Sequence, residues 1–345
     1  MPTYRFQALG PLPSASGSRT YLGLAVLDES RAEPVVLVWV PEELARDVER
    51  SERIQRETER AALLDHPHVV RVYGFARMEE GLARVVEFAD GEPLRRILDV
   101  TGPLPPALAG RFIADAAQGV HFAHLAGNDD GTPLLHGDLR PQTLLLSFNG
   151  HCKVSGYGAA AFAPKENRGR NLFVAPEQVL GGRGAMNVQT DVYLLGLSLY
   201  AALTGKAPFE DEAELEQAVL SKPIDVDRPE IPEPFREIIT RATAKKAADR
   251  YPSALVFREA IELSLPLPDH AEVAAWLNER FPDSDGARAD RQRMIDAGIS
   301  RFARTQWEKQ ASAPSSQPPF PVVAPPPAPP PATPPAPPAA VAPPP

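Results

Sequence analysis

The sequence predicts an α+β fold of two unequal lobes: a small five-stranded antiparallel β lobe with one long helix, then a larger, mainly helical lobe. Three observations lead there. Residues 1–90 hold five short runs of β character around a single amphipathic helical stretch. Beyond residue 90 the pattern becomes helical. Within that second part, residues 192–203 are apolar on nearly every side, the mark of a helix shielded by other helices.

In order, β-type runs fall at residues 4–9, 20–27 and 34–40, with Gly, Pro and Ser between the first two. Residues 43–64 are rich in Glu, Arg, Ala and Leu and space Ile54, Ala61 and Leu64 as one helix face, which His66-Pro67 ends. Strands follow at 69–75 and 83–88, joined by the polar turn 78–81. Residues 105–125 read as a helix that starts on a proline pair and is released before Gly127. Residues 134–158, LLHGDLRPQTLLLSFNGHCKVSGYG, hold a polar loop closed by Pro141, an apolar run, a turn at Asn149-Gly150, a short strand and a Gly-Tyr-Gly corner. Helices are then expected at 191–204, 212–220, 234–242, 253–263, 269–281 and 287–308, the last two packing on the large lobe.

The chain has 345 residues, 43% hydrophobic and 23% charged, enough for a sizeable core. A net charge of −9 argues against a nucleic-acid surface. One cysteine, Cys152, allows no internal disulfide, so a reducing compartment is expected. The start shows no secretory signal, and the longest apolar stretch is too short to span a bilayer. A cytoplasmic location is the expectation. Of 40 prolines many crowd the end, so residues 311–345 are expected to be a disordered Pro/Ala-rich tail.

Several motifs then fall in a recognisable order. Glu57 stands in RETERAALLDHPHVV, residues 87–91 lie between the lobes, and the loop holds His136, Gly137, Asp138, Arg140 and Thr143. Gly156-Tyr157-Gly158, Ala175-Pro176-Glu177, Asp191-Val192-Tyr193 and Asp249-Arg250-Tyr251 follow. Together these resemble the eukaryotic-type (Hanks-type) serine/threonine protein kinases of bacteria, over residues 4–265. The resemblance implies a bilobal kinase-like domain at 1–265, divided at residue 90, with a helical extension at 266–310. It implies Asp138 as the proton acceptor and an ATP site drawn from Gly10, Gly17, Val38, Glu57, Glu87 and Gly156. It assigns a structural role to His136, Tyr157, Asp191 and the pair Glu177–Arg250.

The chain departs from that pattern where phosphoryl transfer needs positioned charge. Val38 stands at the place of the ATP-anchoring lysine, and no lysine precedes Lys153. Glu57 is therefore expected to lack its ion pair, with Arg19 the one cation considered as a stand-in and Lys153 read as facing outward. Thr143 and Gly156 replace both metal ligands. Pro11 and Pro13 break the phosphate loop between Gly10 and Gly17, since proline has no N–H to offer. Gly137 replaces the arginine that receives an activation phosphate, and Arg170 replaces the threonine of the docking loop. Asp138 is expected to brace the loop through backbone N–H groups.

The reading is a pseudokinase that scaffolds or allosterically regulates a protein partner, such as an active kinase, with no metal and no cofactor. The alternative is a weak or unconventional serine/threonine kinase in which Asp138 acts as base with ATP and magnesium.

Overall fold

The apolar–polar alternation of the first ninety residues builds strands β1 (Arg5–Leu12), β2 (Thr20–Val26), β3 (Ala32–Trp39), β4 (Val72–Met78) and β5 (Gly81–Glu87). They form one antiparallel sheet in the order β1-β2-β3-β5-β4. The computed structural model describes residues 5–13, 18–28, 31–127, 131–159 and 171–312, with backbone alone for 306–312. The long helix expected at 43–64 is two, α1 (Glu42–Arg46) and α2 (Val48–Ala61). Asp47 separates them: its backbone is extended, and its side chain accepts from the Arg50 N–H, capping α2. β4 starts three residues later than expected, because Val69 bridges to Val154 and Val70 N donates to Val154 O at 2.9 Å. That segment belongs to the large lobe's ladder.

The second lobe begins with β6 (Gly91–Pro93) and α3 (Leu94–Thr101), which the sequence did not separate from the connecting segment. α4 (Pro106–Ala126) starts with Pro106 in its first turn and ends at Gly127. β7 (Leu144–Ser147) and β8 (Cys152–Val154) pair with β6 as a small sheet. Then come α5 (Pro176–Gly181), α6 (Val188–Thr204), α7 (Leu215–Ser221), α8 (Glu233–Ala242) and α9 (Ala254–Ser264). Every residue of α6 from Thr190 on is buried, and α4, α8 and α9 surround it. This is why its sequence is apolar all round.

Two more helices complete the described chain. α10 (His270–Arg280) buries Val273 and Leu277, followed by Phe281, in the large lobe's core, as expected. α11 (Gly286–Ser312) does not stay on that lobe; it crosses to β1, β2 and β3. Arg291 pairs with Glu92 at 2.5 Å, Met294 lies over Gly10, and Gly298 lets the helix approach Leu9 and Leu24. α11 also runs two residues into the segment read as tail; residues 313–345 lie outside the described residues. Among the described residues no helix is long and apolar enough to cross a membrane.

Candidate functional site

The loop before β7 is held from below by Asp191. This carboxylate, in the first turn of α6, accepts from the backbone N–H of His136 at 2.9 Å and of Gly137 at 2.7 Å, and bonds His124 Nε2 at 2.8 Å. Burial alone would raise its pKa, but the bonds from His124 and His136 outweigh that and hold it below the usual carboxylate range. His136 is buried; its Nδ1 accepts from Asp138 N, and its Nε2 donates to Ser155 O at 2.8 Å. Both nitrogens are thus used by the neutral ring, and burial lowers its pKa. Its edge meets Tyr157, with ring centroids 4.7 Å apart.

A second brace lies behind the loop. Glu177 accepts both guanidinium nitrogens of Arg250, at 2.7 and 2.9 Å, and the Thr190 hydroxyl at 2.6 Å. Burial pushes the Glu177 carboxyl up, but those bonds dominate and leave its pKa lowered.

On the small-lobe side, Val38 is paired with Arg84 across β3 and β5 and with Thr20 across β2 and β3. Opposed residues of an antiparallel ladder project from the same face. Arg84 therefore shares Val38's face, is 3% exposed, and donates to the Tyr157 carbonyl at the Gly-Tyr-Gly corner. Burial lowers its pKa to about 10, an effect that nearby Glu57 partly offsets. Glu57 is consequently not without a cation: it faces Arg84 and pairs with Arg53 at 3.0 Å on its own helix. Among the described residues its buried Oε2 has no hydrogen-bond partner.

Arg84 was missed because a single arginine in the run 82–86 reads as a solvent-facing strand residue; the available signal was a charge inside an otherwise apolar run. Arg19 is not the stand-in. Its guanidinium lies 5.1 Å from the Tyr21 ring and 5.0 Å from the Trp39 ring. Tyr21 and Trp39 are the strand neighbours of Thr20 and Val38, so they project from the opposite face.

Three other expectations change. Lys153 does not face outward but pairs with Glu87 at 2.8 Å, where β5 meets the inter-lobe connection. The loop is not braced by the Asp138 side chain, which lies 3.4 Å from Arg140 Nε and is 38% exposed. Thr143 supplies the brace: its hydroxyl accepts from Arg140 N and lies at hydrogen-bond distance from the Asp138 and Arg140 carbonyls. Gly156 has φ +105°, a conformation few L-residues adopt, and packs beside His136. Gly10 lies on β1 under Met294; Gly17 and Arg170 lie outside the described residues.

A small twisted sheet with its helix, a mainly helical lobe, and between them a loop hung from an aspartate and stapled by a buried Glu–Arg pair define a bilobal kinase-like domain. The protein kinase domain model matches residues 24–260, and the chain belongs to that family. It is 33% identical over 295 residues to the tyrosine-protein kinase MasK of Myxococcus xanthus, covering 77% of this chain and 44% of that protein. It is 32% identical over 233 residues to the serine/threonine-protein kinase PknB of Mycobacterium leprae, covering 63% and 36%. It is 31% identical over 281 residues to PknL of Mycobacterium tuberculosis, covering 77% and 67%. The chain thus spans less than half the length of the first two relatives. The PknI kinase domain of M. tuberculosis superimposes with a TM-score of 0.58 at 22% identity, covering 75% of this chain and 96% of that one, and shares the fold.

Proposed function

We propose that this protein is a pseudokinase, a kinase-like domain that scaffolds or allosterically regulates a signalling protein, such as an active kinase, without efficient phosphoryl transfer. The observation that carries this reading is at Thr143 and Gly156, the two positions after Asp138 where the family's metal ligands are expected. Magnesium in a kinase cleft needs oxygen ligands in near-octahedral order. The Thr143 hydroxyl is engaged within its own loop and Gly156 has no side chain, so these residues do not fit the family's metal pair.

Two further contacts support it. α11 covers the sheet face that bears Leu24 and Gly10, one of the glycines of the expected ATP site, and its Arg291 reaches the Gly91 carbonyl. The Arg84 guanidinium is engaged by the Tyr157 carbonyl, where it ties the lobes together.

The test is transfer of labelled phosphate from ATP by the full chain, alongside thermal-shift titration with ATP with and without Mg²⁺. No transfer and no shift are expected. Transfer that Asp138→Ala abolishes would overturn the reading. It would support the alternative, an unconventional ATP- and magnesium-dependent serine/threonine kinase in which Asp138 acts as base and Arg140 contacts the γ-phosphate. The observation favouring that alternative is Arg84, a buried cation beside Glu57 and one strand from Val38.

A further inference from the structure

Away from the cleft, three of the chain's seven histidines converge on one buried carboxylate. Asp115 of α4 is 2% exposed. His270, the first residue of α10, places Nε2 at 3.0 and 3.3 Å from its two oxygens. His68, in the loop before β4, places Nδ1 at 3.7 Å from Asp115 Oδ2 and bonds Cys152 O at 2.8 Å. His151, in the β7–β8 turn, stacks on His270 with centroids 3.8 Å apart. Its Nδ1 is buried and, among the described residues, has no hydrogen-bond partner.

One ligand atom from each of these four residues lies within 4.8 Å of the others. Bonds of about 2.0–2.1 Å to a tetrahedral zinc put ligand atoms about 3.3 Å apart. His270 Nε2 already stands close to that edge length from Asp115; His68 Nδ1 does too, and must give up its proton and its bond to the Cys152 carbonyl to ligate the ion. The widest pair must close by about 1.5 Å, which χ rotation of the partly exposed His151 and His270 can supply.

We propose that His68, Asp115, His151 and His270 form a structural Zn²⁺ site that clips the C-terminal extension to the kinase-like domain. Three imidazoles and a carboxylate are a nitrogen-rich donor set that suits zinc rather than magnesium or calcium. Four protein ligands close the site, which makes it structural. The orphaned His151 Nδ1 gains a partner, and the charge on Asp115 is matched by the metal. The ligands come from four separate segments, two of them in the loop and turn that flank the small lobe's junction, so the ion joins α4, the β7–β8 turn, the His68 loop and α10. The site is independent of the cleft, and its failure would leave the pseudokinase reading untouched.

The test uses the full chain, stripped with a chelator, reloaded with Zn²⁺ and desalted. Equimolar zinc should be retained, the melting temperature should rise by several degrees, and Co²⁺ in its place should give the intense visible bands of tetrahedral coordination. His270→Ala and His151→Ala should each weaken retention at least tenfold while leaving the circular dichroism unchanged; His121→Ala, outside the cluster, should not. Substoichiometric zinc, octahedral cobalt spectra, or retention unchanged in the His151→Ala/His270→Ala double variant would each overturn the site.

Discussion

Arg84 lies on β5 directly opposite Val38 on β3, and its guanidinium reaches across the cleft to the Tyr157 carbonyl. A cation thus occupies the inter-lobe face on which Val38 presents only methyl groups. The charge stands one strand away from Val38, and it bonds protein backbone.

This exchange makes Val38→Lys costly in the wild-type background, because a second cation would face Arg84 in a nearly dry site. A loss of about 2 kcal/mol or more is expected in urea denaturation. Combining Val38→Lys with Arg84→Met should recover most of it, since one cation then serves Glu57. Additive losses in the double variant would show that the two side chains do not share a site.

The Glu177–Arg250 pair staples α5 to the segment before α9, with the Arg250 side chain fully buried. Glu177→Ala leaves the fully buried Arg250 without its partner and should cost about 3–5 kcal/mol of unfolding free energy, whereas Arg250→Ala leaves only the half-buried Glu177 and should cost less. A smaller loss in Glu177→Ala, near that of a surface pair, would mean that water reaches the survivor.

Docking of α11 depends on Gly298, where an added Cβ would meet the tip of Leu9 at 2.6 Å and of Leu24 at 3.0 Å. Gly298→Leu should overpack this contact and destabilise by about 1–3 kcal/mol. Amide exchange should then speed up in β1 and α11 but not in α6. Uniform acceleration through the chain would indicate global rather than local loosening.

Stability should decline as the solution is acidified below about pH 6.5. Burial lowers the pKa of His136, His66, His121 and His151 in the folded chain. The unfolded chain then binds more protons over the window between each lowered value and the ordinary imidazole value, so protonation favours unfolding there. For His136 the neutral ring is also required by its bonds to Asp138 and Ser155. His136→Gln should flatten the slope of unfolding free energy against pH; an unchanged slope would assign it to the other histidines.

Much of the large lobe's site was legible because it depends on residues whose spacing carries the constraint. Asp191 beside an all-apolar helix, Glu177 after a proline and Arg250 before a tyrosine each imply a partner, and the partners are where the motifs suggested. The small lobe was less legible. Arg84 looks like any exposed strand residue until the β3–β5 register places it over the cleft, and Arg19 looks available until the pleat turns it away.

By itself, the sequence determined the two-lobed α+β class, the buried α6, and the residue types at Val38, Thr143 and Gly156. These are properties of local pattern, and periodicity and motif spacing carry them. Only the tertiary structure decided that Arg84 lies buried on the cleft face near Glu57, that α11 crosses to the small lobe, and that His68, Asp115, His151 and His270 meet. Those contacts join residues as far apart in sequence as Leu9 and Gly298, and nothing in local pattern encodes their approach. It follows from which apolar faces bury against one another, and that is settled by the whole chain at once.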